Sequence, residues 1–200
     1  MLKFMKLVAS VGMLFLLLGA ATAYAAGGKM VGSPSAPITI EVYSDYQCPA
    51  CKMLYEQTLR PLVADYARSG KVYLIHRDFP LAGHAFSRQA AYYTVAAERI
   101  GKYEQVASAL FANQASWSVT GKVDETACSV LTPAEAARVR ALVKDPSVIA
   151  EVERDLKMGE KIPIRQTPTL IITHRLKQYP LTGAVNYALL KRFIDELLSK

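Results

Sequence analysis

The chain has 200 residues, a formal charge of +7, three cysteines and 52% hydrophobic residues. That length suits one domain with a real core, or one domain with a large insertion. Three cysteines do not make a disulfide framework, and without a basic run interleaved with aromatics nucleic-acid binding is not implied.

Lys3 and Lys6 precede an apolar run from Leu7 to about Ala21, and Ala23-Tyr24-Ala25-Ala26 fits a small-residue cleavage rule. Residues 1–25 are therefore expected to be a secretory signal peptide, cut after Ala25. Left uncut, the stretch just reaches across a bilayer and would serve as a membrane anchor. Either way the rest of the chain is expected in the periplasm or another extracytoplasmic space, where disulfides persist. The leader holds two lysines and no acids, so its loss lowers the charge from +7 to +5.

Residues 26–37 are rich in Gly, Ser and Pro and read as a linker, too short for a further domain. Ile38 to Ser44 has the alternation of a strand. Pro49 to Arg68 has helical spacing, with Pro61 expected to kink it and Ser69-Gly70 to end it. Lys71 to Phe79 alternates again, as a second strand. The pattern then turns helical over 84–100 and 102–113. A capping box with a first-turn proline, Thr132-Pro133-Ala134-Glu135, opens a helix to about Val143, and Asp145-Pro146-Ser147 opens another to about Gly159. Pro168 to Thr173 and Lys177 to Leu181 read as a strand pair. Leu190, Phe193, Ile194 and Leu197 mark one face of a final helix over 185–198.

At the junction of the first strand and first helix stands Asp45-Tyr46-Gln47-Cys48-Pro49-Ala50-Cys51. Cys48 would sit at the helix N-terminus, where unpaired N–H groups and the macrodipole favour a thiolate. Cys51 falls one turn in on the same face, placed to attack a mixed disulfide formed at Cys48. Pro49 suits a first helical turn. Half a zinc site would need two further ligands. Only Cys128, His76, His84 and His174 remain as N or S donors, with no second ligand pair, so no metal is assigned. A static disulfide closing so short a loop would add little stability. Cys128 reads as a small buried apolar residue, with a regulatory or intermolecular disulfide as the alternative. His76 reads as a core or edge histidine, and His84 as a helix start or a groove residue near the dithiol.

The order is strand, C-x-x-C helix, strand, helical segment, two strands, helix. Together with Gly32-Ser33-Pro34-Ser35-Ala36-Pro37, Ser44 to Cys51, Arg77-Asp78-Phe79-Pro80-Leu81, Leu110-Phe111-Ala112-Asn113-Gln114 and Gln166-Thr167-Pro168-Thr169, it resembles the DsbA-like thiol–disulfide oxidoreductases. The resemblance covers nearly all of the chain after residue 25. It implies an α/β thioredoxin fold formed by 38–83 and 161–200, with 84–160 as an inserted helical domain. It marks Cys48 as the exposed attacking thiol, Cys51 as the buried resolving thiol and Pro168 as a cis-proline facing them. Thr167, Pro49 and Ala50 would contact substrate, with a substrate strand pairing to the Thr167 backbone.

Relatives often carry a buried Glu six residues before the first Cys; here that position is Val42. Glu41 through a bulge, Asp45 or a water would then handle protons, unless the two acids are a solvated strand end and a turn residue. Strongly oxidising members have His after the active-site proline, whereas this chain has Ala50, so a weaker oxidant is expected. The resemblance implies no cofactor in the chain. It implies a monomer acting on reduced unfolded secreted proteins, and reoxidation by a quinone-linked membrane partner of the DsbB or vitamin-K-epoxide-reductase type. A reductase or isomerase, and from another class a metallochaperone or peptide-binding chaperone, remain alternatives.

Overall fold

The computed structural model describes residues 28–200, so the expected signal peptide and cleavage site lie outside the described residues. The chain runs β1 (Met30–Val31), β2 (Ile38–Ser44), a helical run, β3 (Val72–Asp78), six helices, β4 (Thr169–His174), β5 (Lys177–Thr182) and α9 (Tyr187–Leu198). The strands form one sheet in the order β1-β3-β2-β4-β5. β2 and β3 are parallel, with Val42 opposite His76 and Ser44 opposite Asp78. β2–β4 and β4–β5 are antiparallel. β1 lies within the stretch read as a linker and pairs antiparallel with Ile75 and Leu74.

Strand alternation makes the sheet two-faced. Ile38, Ile40, Val42, Val72, Leu74, Leu170 and Ile172 fill one face. They pack on Leu54, Leu59, Leu62 and Tyr66 of the first helical run and on Leu190, Ile194 and Leu197 of α9. That run is α1 (Pro49–Leu54) and α2 (Arg60–Leu62) alternating with π turns at Tyr55–Leu59 and Val63–Ala67. Pro61 lacks an N–H to bond back into the helix, and the wider turns on either side of it take up the disruption expected as a kink.

The inserted helices are α3 (Ser87–Glu98), α4 (Tyr103–Ala112), α5 (Gln114–Thr120), α6 (Val123–Cys128), α7 (Pro133–Leu142) and α8 (Pro146–Lys161). The capping box forms as its sequence requires: Glu135 N–H donates to Thr132 Oγ1 and Thr132 N–H to Glu135 Oε2. Their core gathers Ala90, Ala96, Val106, Leu110, Trp117, Val139 and Val152, and it also takes in Tyr46, Cys48, Cys51 and Tyr55. The segment from Tyr46 to Tyr55 thus packs against the inserted helices as well as carrying the chain away from the sheet. On the other sheet face Tyr43, Phe79 and Ile171 meet Ile164 and Leu156. α8 approaches so closely at Gly159 that an added Cβ would stand 2.5 Å from Phe79 and 3.1 Å from Tyr43.

An ion network centred on buried Lys29 ties four segments together. Lys29 Nζ lies 2.6 Å from Asp78, 2.7 Å from Asp155 and 3.3 Å from Glu151. Arg77 joins Asp155 to Glu41. Burial opposes the Lys29 charge, but the Asp78 and Asp155 carboxylates outweigh it and hold the ammonium well above the lysine range. Burial also pushes the Asp78 carboxyl up to about 6, even beside Lys29.

Candidate active site

β2 delivers the chain to the site at Ser44, whose carbonyl accepts the Phe79 N–H at 2.8 Å. Asp45 then makes a tight turn, its Oδ1 accepting the Gln47 N–H at 2.7 Å. Cys48 is the extended residue that precedes α1, with Pro49 in the first turn. Its carbonyl accepts from the N–H groups of Cys51 and Lys52 at 3.1 and 3.2 Å.

The thiols are unpaired, so the site is in its dithiol form. Cys51 is buried as expected, at 1% exposure, but Cys48 is not the open thiol that the resemblance implies: it is only 8% exposed. The insertion core and the loop before β4 cover it, and its Sγ donates to the Thr167 carbonyl at 3.4 Å. The Thr167–Pro168 bond is cis, and Pro168 is buried beside that contact. Pro49 is exposed, and Ala50 is half-buried against the insertion core. Cys128 is buried in the insertion, its Sγ 3.5 Å from Asp124.

The two sulfurs differ sharply in acidity. The Cys51 thiol, donating to the Cys48 sulfur, contributes most to drawing Cys48 down to about 5. Burial works against this. The Thr167 side chain and the N–H groups of Cys51 and Ala50 add to the lowering. Cys51 moves the other way: burial raises it far above an ordinary thiol, and the neighbouring Cys48 adds to the rise.

The Thr167 hydroxyl is the one buried side-chain N or O among the described residues without a hydrogen-bond partner. When Cys48 loses its proton, this hydroxyl is the donor at hand. Thr167→Val keeps the shape and removes the donor, and should raise the Cys48 pKa by about one unit, the scale of a hydrogen bond to a charged group. Titrating the thiolate ultraviolet absorbance checks this; an unchanged midpoint would remove Thr167 from the account.

Glu41 and Asp45 take different places. Glu41 lies on the face away from α1, its carboxylate held by Arg77 at 2.9 and 2.7 Å, and the β2–β3 register passes through it without a bulge. Val42, in contrast, lies in the core beneath α1. Asp45 is at the dithiol: its backbone N–H donates to Cys51 Sγ at 3.4 Å. His84, read as a helix start or groove residue, precedes α3 and bonds Asp45 Oδ2 at 2.8 Å through Nδ1.

Two glutamines noted only as parts of motifs also build the site. Gln114 Nε2 donates to the carbonyls of Tyr46 at 2.7 Å and Cys48 at 3.0 Å. Gln47 reaches the insertion, donating to Ser118 O at 3.1 Å and accepting from Phe86 N at 2.9 Å. Their only sequence signal is position, Gln47 beside Cys48 and Gln114 at the end of Leu110-Phe111-Ala112-Asn113-Gln114; their partners lie too far along the chain to be read from it. Among the described residues no group of three or more His, Cys, Asp or Glu could share a metal ion.

The thioredoxin family model matches residues 25–196. The chain is 23% identical over 159 residues to "Disulfide bond formation protein D" of Bacillus subtilis (strain 168), covering 75% of this chain and 69% of that protein. Among solved structures, oxidised BdbD from Bacillus subtilis superposes with a TM-score of 0.69 at 23% identity, covering 87% of this chain and 94% of that one. Alpha-DsbA1 of Wolbachia pipientis gives a TM-score of 0.69 at 21% identity, covering 84% and 89%. These likenesses fix the fold as the thioredoxin fold with a helical insertion, α3 to α8, between strands. With the C-x-x-C pair at the head of α1, the chain belongs to the thioredoxin family, as a DsbA-like thiol–disulfide oxidoreductase.

Proposed function

We propose that this oxidoreductase works outside the cytoplasm chiefly as a dithiol oxidase, forming disulfides in secreted proteins through Cys48 and Cys51. The observation that carries the reading is the split in acidity, with Cys48 held near 5 and Cys51 raised. A stable Cys48 thiolate favours the reduced enzyme, and an enzyme that prefers to be reduced oxidises its partners. The likeness to a disulfide bond formation protein supports the same direction.

In the first step a substrate thiolate attacks Cys48 Sγ. The Cys48–Cys51 bond breaks, and its electron pair goes to Cys51, which then takes up a proton. In the second step another substrate thiolate attacks the substrate sulfur of the mixed disulfide, and Cys48 leaves as a thiolate. The substrate loses two electrons and the enzyme gains them. Among the described residues the Thr167 N–H has no acceptor, which suits strand-like pairing with a substrate backbone. Pro49 forms the exposed shoulder of the site, with Ala50 half-buried beside it. Neither Glu41, held by Arg77 on the face away from α1, nor the Asp45 carboxylate, held by Gln47, Leu81 and His84, is free to handle protons at the dithiol, so we assign that proton to water. Reoxidation then requires a two-electron acceptor, which we assign to a quinone-linked membrane partner; a leader at residues 1–25 would place the chain where both meet it.

The test is the reduction potential in glutathione buffers. A value nearer about −120 mV, as in DsbA, than about −270 mV, as in thioredoxin, is expected. A Cys48 pKa of about 5 stands above the value of about 3.5 in DsbA, so the potential should lie below that of DsbA. A value at the thioredoxin end would turn the reading to a reductase.

A further inference from the structure

The Asp45 side chain is fully buried, with 0% exposure, yet it does not face the thiols as an acid. Its carboxylate is consumed by three donors: the N–H of Gln47 at 2.7 Å, the N–H of Leu81 at 2.8 Å and His84 Nδ1 at 2.8 Å. Since a carboxylate only accepts, Nδ1 is the donor in the last of these. The Asp45 backbone meets both halves of the redox pair. Its carbonyl accepts from Cys48 N at 3.1 Å, and its N–H donates to Cys51 Sγ at 3.4 Å. The turn that aims this N–H is therefore fixed through the carboxylate. Two of its anchors are backbone; His84, with a side chain 28% exposed, is the only side chain among them.

We propose that His84 is a positioning residue for the buried thiol: through the Asp45 carboxylate it holds the Asp45 N–H against Cys51 Sγ, the sulfur that leaves in the first exchange step. This rests on the reading of Cys48 and Cys51 as an exchanging pair. When the Cys48–Cys51 bond breaks, the electron pair arrives on a sulfur where burial disfavours negative charge. An aligned N–H lowers that cost. An unanchored Asp45 carboxylate would raise it, both by letting the turn drift and by leaving a buried anion short of a donor. His84 thus acts mainly on the rate of opening the disulfide, and less on the equilibrium, without touching substrate.

Two variants test the assignment. His84→Leu removes the donor, and His84→Asn places an amide near the Nδ1 position. Each is measured for its equilibrium constant with glutathione, for the rate at which reduced glutathione opens its disulfide, and for its melting temperature. His84→Leu should slow opening roughly tenfold, the scale of one hydrogen bond to a charged group, and should shift the equilibrium toward the disulfide by a smaller factor, since Cys51 is neutral in the reduced form. His84→Asn should return both toward wild type. If His84→Leu does not fold, His84→Gln, whose amide sits nearer the place of Nε2, carries the same expectation. A variant that only melts lower, with equilibrium and rate unmoved, would reduce His84 to a loop fastener and overturn the proposal. A wild-type protein that does not equilibrate with glutathione would instead overturn the exchange reading, and this assignment with it.

Discussion

Cys48→Ser is expected to abolish thiol–disulfide exchange, whereas Cys51→Ser should carry it half-way and stop. In Cys51→Ser the Cys48 thiolate remains, and a serine hydroxyl replaces the thiol that donates to it. Offered oxidised glutathione, this variant should accumulate a mixed disulfide, because no second thiol resolves it. Cys48→Ser leaves only Cys51, 1% exposed and held neutral by burial, so no adduct should form. Intact-protein mass spectrometry reads both outcomes. The sign of the pH dependence follows from the acidity of Cys48. Its thiolate fraction rises as pH passes about 5. The Cys51→Ser adduct rate should therefore climb from acid pH and level off above that value, instead of rising through about 8.5 as for a free cysteine. An adduct on Cys48→Ser, or a rate still rising at pH 8, would reverse the roles given to the two sulfurs.

The second large effect is on stability and lies far from the thiols in sequence. Lys29→Met should cost about 3–5 kcal/mol, the range for removing one partner of a buried ion pair. Lys29 is 4% exposed, and its loss leaves Asp78 and Asp155, at 4% and 1%, short of their shared cation. Arg77 contacts Asp155 but does not replace the bond to Asp78. Adding Asp155→Asn should recover part of the loss, since it removes one of the stranded charges. Denaturant unfolding measures both variants. A change below about 1 kcal/mol, the scale of a surface pair, would show that water reaches these carboxylates.

Lys29 and its partners differ from the dithiol segment in how far apart along the chain their residues lie. The C-x-x-C, its strand and its helix are local features: alternation in Ile38–Ser44, a thiol at each end of one helical turn, and a proline where no N–H is needed. They were legible for that reason, as were the capping box at Thr132 and the apolar face of α9. Lys29 stood in a small, polar stretch read as a linker. Its partners Asp78 and Asp155 are 49 and 126 positions away, and nothing local marks such a contact. α5 and α6 went unassigned because they are only 7 and 6 residues long, too short to display a period. From sequence Asp45 fits a turn residue or an acid for the dithiol equally well. The folded chain makes it a turn residue whose backbone serves the dithiol, a division of labour between side chain and main chain that sequence does not show. Cys48 was expected to be open. Whether a helix-end thiol is covered depends on the insertion and on the loop at Thr167, which meet only in the folded protein.

Gln114 bears on how this protein could be taken apart. Its amide, donated from the insertion, reaches the carbonyls of Tyr46 and Cys48 on either side of Gln47. The inserted helices are therefore not a detachable cap. They supply a fixed wall of the redox pocket, so a chimera that trades this insertion for another must keep an amide at that point. A thioredoxin scaffold that borrowed only Cys48-Pro49-Ala50-Cys51 would carry the motif without the support that shapes it.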